Sequence, residues 1–98
     1  MKWLEIIELR SAESNQEILK SKIETLVKEV QKEEAEQGVQ TFSHGTISSD
    51  FSIHLFHDSR IVPAAGSDLG LHIASSLKEY GLVNHTIWIE KQRDSLTK

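Results

Sequence analysis

The run Trp3 to Leu9, WLEIIEL, has no fully polar side: of its two alternating sets, Trp3/Ile7/Leu9 and Leu4/Ile6 are apolar, with Glu5 and Glu8 as the exceptions. β-formers in a run too short for a helix read as a strand. Successive side chains of a strand point to opposite faces, so this one needs cover on both and belongs at the centre of a sheet. Whatever the chain folds into must supply that cover.

The next segment reads as a helix. Ser14 followed by Glu17 has the spacing at which two side chains cap each other's backbone N–H groups. Leu19, Ile23, Leu26, Val27 and Val30 then recur at three- and four-residue intervals, and Gly38 supplies a left-handed stop. Val39 to Gly45 and Phe51 to His57 flank the turn Ser48-Ser49-Asp50 and predict a β-hairpin. A three-residue loop pairs Ile47 with Phe51, Gly45 with Ile53 and Ser43 with Leu55, and on the opposite face Phe42 with Phe56 and His44 with His54. Residues 58–66, DSRIVPAAG, read as a loop. A second helix starts at Gly66 or Ser67, buries Leu69, Ile73, Ala74 and Leu77, and stops at Gly81. Leu82 to Glu90 form the last strand, with Ile87 and Ile89 on one side and Thr86 and Trp88 on the other.

Strand, helix, hairpin, helix, strand is the β-α-β-β-α-β order, an α+β class in which right-handed crossovers place both helices on one face of a four-stranded antiparallel sheet. This ferredoxin-like domain spans residues 1–92, and residues 93–98 form a polar tail. The other face stays bare, and carries Phe42, Phe56 and Trp88 plus one apolar set of the first strand. Three aromatics present on the order of 450–750 Å², more than the roughly 300–600 Å² of the largest apolar patch on a typical monomer. The economical cover is a second copy, so the expected partner is the chain itself in a homodimer.

Composition narrows the functional classes. The chain has 98 residues and a net charge of −4, with eleven Lys and Arg scattered along it, so clustered cations that displace counterions from nucleic acid are absent. Cysteine is absent, which excludes a disulfide framework, a thiolate metal site and a cysteine nucleophile. No stretch approaches the roughly 20 apolar residues of a membrane span, and the N-terminus lacks a signal-peptide core, so a cytoplasmic address without membrane or nucleic-acid partners is expected. Gly-rich phosphate loops, nucleophile elbows and H-E-x-x-H helices are missing too, which argues against nucleotide hydrolases, serine hydrolases and zinc proteases.

In its element order, its length and the Gly81-Leu82-Val83 transition into a Trp-containing final strand, NHTIWIE, the chain resembles the dimeric α+β barrel superfamily over residues 3–91. Within that superfamily it is similar to the antibiotic-biosynthesis-monooxygenase-like proteins. The resemblance implies a dimer with a partly hydrophobic pocket in each protomer, and an activity such as a cofactor-independent monooxygenase or isomerase acting on an aromatic or polyketide-like compound. It transfers no catalytic residue. A non-enzymatic regulatory ligand-binding or interaction domain of the same topology is the alternative.

The residues themselves offer pocket candidates. His44 and His54, as cross-strand neighbours, could share a proton or contact a ligand, or hydrogen-bond each other at a dimer seam. A metal needs a third ligand, and His57 lies three residues on, on the other face, so neither metal nor cofactor is expected. Phe42, Phe56 and Trp88 suit a flat, hydrophobic or aromatic ligand, or simple packing. Glu90 is a base if buried and a solvated carboxylate otherwise. Arg60 beside the Ser67 helix start places a cation near free backbone N–H groups, an arrangement that attracts a carboxylate or phosphate, although every helix start offers such donors. His72 and His85 read as surface or satisfied residues.

Overall fold

The computed structural model describes residues 1–12, 16–33 and 38–91, with residues 30–33 described through their backbone alone. The elements run β1 (Lys2–Ser11), α1 (Gln16–Glu33), β2 (Val39–Ser43), β3 (Asp50–Asp58), α2 (Asp68–Leu77), a single 3-10 turn (Lys78–Tyr80) and β4 (Gly81–Ile89). The four strands form one antiparallel sheet in the order β2-β3-β1-β4. This is the ferredoxin-like α+β arrangement. The doubly apolar β1 lies in the interior of the sheet, hydrogen-bonded on both edges.

Both helices cover the same face. Leu19, Ile23 and Leu26 from α1 and Ile73, Ala74 and Leu77 from α2 join Ile7, Leu9, Ile53 and Leu55 of the central strands in one buried cluster. The odd-numbered residues of β1 and β3 therefore point into the core, and the even-numbered residues make the opposite face. Removing from water the apolar area of side chains such as Ile7, Leu19 and Ile53 is worth about 1.5–3 kcal/mol each, before the entropy of ordering is counted.

Three local expectations are corrected or fall outside the described residues. The hairpin pairs Val39 with Leu55, Thr41 with Ile53 and Phe42 with Ser52, so His44 does not face His54 and Phe42 does not face Phe56. The reason lies in the connection, which runs over the six residues between Ser43 and Asp50: the His44 N–H still reaches the Asp50 carbonyl at 2.9 Å, and the His44 Nδ1 accepts the N–H groups of Thr46 and Ile47, each at 3.1 Å. The offset is an even number of residues, so each side chain keeps the face expected of it. Gly38 is not left-handed either, because among the described glycines only Gly66 has a φ in the left-handed region, 102°. The proposed cap at Ser14 lies outside the described residues.

Helix α2 begins as its sequence indicates. Ser67 is the N-cap, in extended backbone, and its Oγ accepts the N–H of Gly70 at 2.9 Å. Strand β4 starts directly after the 3-10 turn, at Gly81.

Candidate functional site

The face away from the helices is organised in rows across the strands. From one end, the cross-strand neighbours are Phe56-Leu4-Trp88, then Gln40-His54-Ile6-Thr86, then Phe42-Ser52-Glu8-Asn84, and last Asp50-Arg10-Leu82. The first row is wholly apolar, and polar groups accumulate toward the last. Phe42, Phe56 and Trp88 remain 46, 44 and 59% exposed, far more than large aromatics buried in a core. His54 stands beside two of these rings, with its centroid 4.6 Å from Phe42 and 6.4 Å from Phe56, and its Nε2 lies 3.3 Å from Ser52 Oγ. Trp88 donates its indole N–H to Thr86 Oγ1 at 2.9 Å, which leaves the flat of the ring to the surface.

At the polar end of this face a cleft of about 550 Å³ opens, lined by Glu8, Arg10, Ser43, His44, Asp50, Ser52 and Asn84 among apolar walls from Ile47, Phe51 and Leu82. Two features mark it. Arg10 meets Asp50 only through Nε at 3.8 Å, beyond hydrogen-bond range, and its side chain is 78% exposed. Asp50 Oδ1 is buried with no hydrogen-bond partner among the described residues, an omission that costs roughly 1–3 kcal/mol for a neutral group and more for a charged one. A second, more apolar groove of about 340 Å³ lies between α1 and β2, against Ile23, Phe42 and Phe51.

Beneath the sheet lies a polar cluster built around Glu5, whose side chain is fully buried. His57 Nε2 lies 2.6 Å from Oε1 and His85 Nε2 2.7 Å from Oε2, while Ser67 gives its hydroxyl to Oε1 and its backbone N–H to Oε2 at 3.1 Å. An ionised carboxylate only accepts, so the partners assign a protonated Nε2 to each imidazole. Both oxygens are thereby doubly bonded, the condition under which a buried acid is tolerated. His57 in turn stacks on Trp3 at 4.0 Å, and Trp3 donates its indole N–H to Ser59 Oγ at 2.8 Å. Gly66 and Gly70 supply the room: a β-carbon on Gly66 would lie 2.6 Å from both Glu5 Oε2 and His85 Cε1, and one on Gly70 would overlap the carboxylate.

The residues singled out in the sequence thus divide. Phe42, His54, Phe56 and Trp88 share the open face. His44 sits apart, in the loop that walls the cleft. Glu90 is exposed just beyond β4, its N–H bonded to the carbonyl of Lys2. Arg60 is exposed and makes no hydrogen bond or ion pair among the described residues. Ser67 does receive a carboxylate, that of Glu5. The Glu5, His57, His85 assembly escaped sequence reasoning, although its signal was present: a glutamate in an otherwise apolar inward set requires donors on facing strands. Among the described residues no group of three or more His, Cys, Asp or Glu has an arrangement able to hold a metal ion, and no helix is long and apolar enough to cross a membrane. Neither a protein-family model, nor a curated protein, nor a solved structure matches this chain.

Proposed function

We propose that the protein is a homodimer of the dimeric α+β barrel kind, which packs its open sheet faces together and holds a small, partly aromatic molecule between them. The observation that carries this reading is the row Phe56-Leu4-Trp88 with Phe42 and Ile6 nearby, an apolar surface left exposed on a chain whose helices already cover the other face. Size supports it. Four strands about 4.8 Å apart, three of nine or ten residues and β2 of five, make a face of roughly 500 Å² in projection, which, once corrugated by side chains, approaches the roughly 800 Å² that each partner contributes to a stable interface.

A two-fold axis parallel to the strands sets apolar row on apolar row and polar row on polar row. One end of the sandwich then seals while the polar end stays open to a guest. His54, beside Phe42 and Phe56, is the group placed to exchange a proton with that guest. Retention without turnover, as in a regulatory ligand-binding domain, is the second reading. Glu5 favours it, because the buried acid in this core has both oxygens occupied and faces away from the open surface.

Sedimentation equilibrium at tens of micromolar tests the assembly. A dimer is expected for the natural sequence, and a folded monomer for Trp88→Glu. A natural sequence that sediments as a monomer would overturn the proposal. Native mass spectrometry of the same sample then reads whether the dimer retains an organic molecule.

A further inference from the structure

We infer that the cleft at the polar end of the open face takes a small zwitterion, an ammonium and a carboxylate one carbon apart on an apolar or aromatic body, which is the chemistry of an α-amino acid. The inference names the ligand class of the binding site proposed above and rests on that ligand-binding reading, though not on the dimer.

Charges of both signs stand side by side in the cleft, Arg10 and Asp50 forming a loose ion pair at 3.8 Å. Among the described residues the terminal nitrogens of the Arg10 guanidinium have no partner, which leaves the planar fork that grips a carboxylate through two parallel hydrogen bonds. Asp50, with its side chain only 18% exposed, lines the cleft and keeps one oxygen without a donor among the described residues. The 3.8 Å between Arg10 Nε and Asp50 Oδ2 is too long for a hydrogen bond. It is close to the roughly 3 Å that bond lengths impose between the nitrogen and a carboxylate oxygen of an α-amino acid. Such a ligand, laid antiparallel to the pair, adds a carboxylate to the fork of Arg10 and an ammonium to Asp50.

The remaining walls agree. His44 commits Nδ1 to two backbone N–H groups, so its neutral ring carries its proton on Nε2 and adds a donor for the ligand carboxylate. Glu8, held by Asn84 Nδ2 at 3.2 Å, adds an acceptor for the ammonium. Ile47, Phe51 and Leu82 offer the body an apolar surface, and about 550 Å³ lies within the ordinary range of small-molecule sites.

Equilibrium dialysis of the full chain against L-phenylalanine, phenethylamine and 3-phenylpropanoate decides the matter, because the last two each lack one charge. The expected result is saturable uptake of phenylalanine, at least about tenfold weaker uptake of each singly charged analogue, and a loss of about tenfold or more in Arg10→Gln and in Asp50→Asn. Arg10 is largely exposed, so its variant carries the test if Asp50→Asn fails to fold. Equal uptake of the three compounds, unaltered uptake by Arg10→Gln, or no uptake up to about 10 mM each overturns the inference. Sedimentation of the same samples separates the two proposals. A monomer that takes up phenylalanine through Arg10 sinks the barrel and keeps the cleft, whereas a dimer that ignores all three compounds does the reverse.

Discussion

Gly70 has no side chain where the carboxylate of Glu5 lies, and a β-carbon built on it overlaps Glu5 Oε2. On an isolated helix, Gly70→Ala should stabilise by up to about 1 kcal/mol through propensity. Here the obstacle is a buried group held by His57, His85 and Ser67, which cannot swing aside without leaving them. Overpacking of this kind costs about 1–3 kcal/mol, and displacing a bonded carboxylate adds to it. Gly70→Ala is therefore expected to destabilise by about 2 kcal/mol net, read as a lower urea midpoint at unchanged slope. A midpoint that rises would show the helix preference winning.

Removing the acid itself should cost more. Glu5→Ala leaves two imidazoles, a hydroxyl and a backbone N–H with no acceptor beneath the sheet, and a loss of about 3–5 kcal/mol is expected. Glu5→Gln retains one oxygen and lets an imidazole change tautomer to accept from the amide, so its loss should be smaller, on the order of 2 kcal/mol. Chemical denaturation of both variants gives the ranking, and equal stability would mean that the hydrogen bonds to Glu5 contribute little.

The two tryptophans report on opposite sides of the sheet. Trp3 is buried against His57, whereas Trp88 is 59% exposed. A Trp3→Phe variant leaves Trp88 as the sole indole, and its emission should move to shorter wavelength as concentration rises through the dimer range. Replacing Trp88 by Ala should weaken association by about thirtyfold, the equivalent of a 2 kcal/mol hot spot. Emission that stays at the solvent-exposed wavelength at every concentration would count against face-to-face pairing.

His44 holds its loop by accepting two backbone N–H groups at one ring nitrogen. For His44→Ala, exchange of the Thr46 and Ile47 amides should quicken by about fivefold, which corresponds to roughly 1 kcal/mol of local opening. His44→Asn, whose side-chain oxygen can accept in the same manner, should recover part of that protection. Unchanged exchange in the alanine variant would remove His44 from the account of this loop.

Much of the architecture can be read from apolar spacing. The two-sided pattern of WLEIIEL marks a central strand, and Ser67 marks the start of α2. The open-face positions of Phe42, Phe56 and Trp88 follow from strand alternation, which survives an even offset of the hairpin. The offset itself was hidden, because it depends on how His44 folds back onto its own loop, a tertiary detail that aliphatic matching does not encode. The cluster around Glu5 was hidden for a related reason. Its members come from β1, β3, β4 and the start of α2, and only the folded sheet brings Glu5 beside His57 and His85. Each residue taken alone looks like a surface group.

The buried acid also acts as an alignment key for the middle of the molecule. Sliding β1 by one position against its neighbours would swing Glu5 to the far side, carry Glu8 under the helices into the place of Ile7 or Leu9, and abandon three donor residues at once. A purely aliphatic β1 would tolerate such a slip far more cheaply, since its two sides are nearly equivalent in greasiness. Glu5 inside and Glu8 outside each make that alternative expensive, and together they tell the strand which way round it belongs.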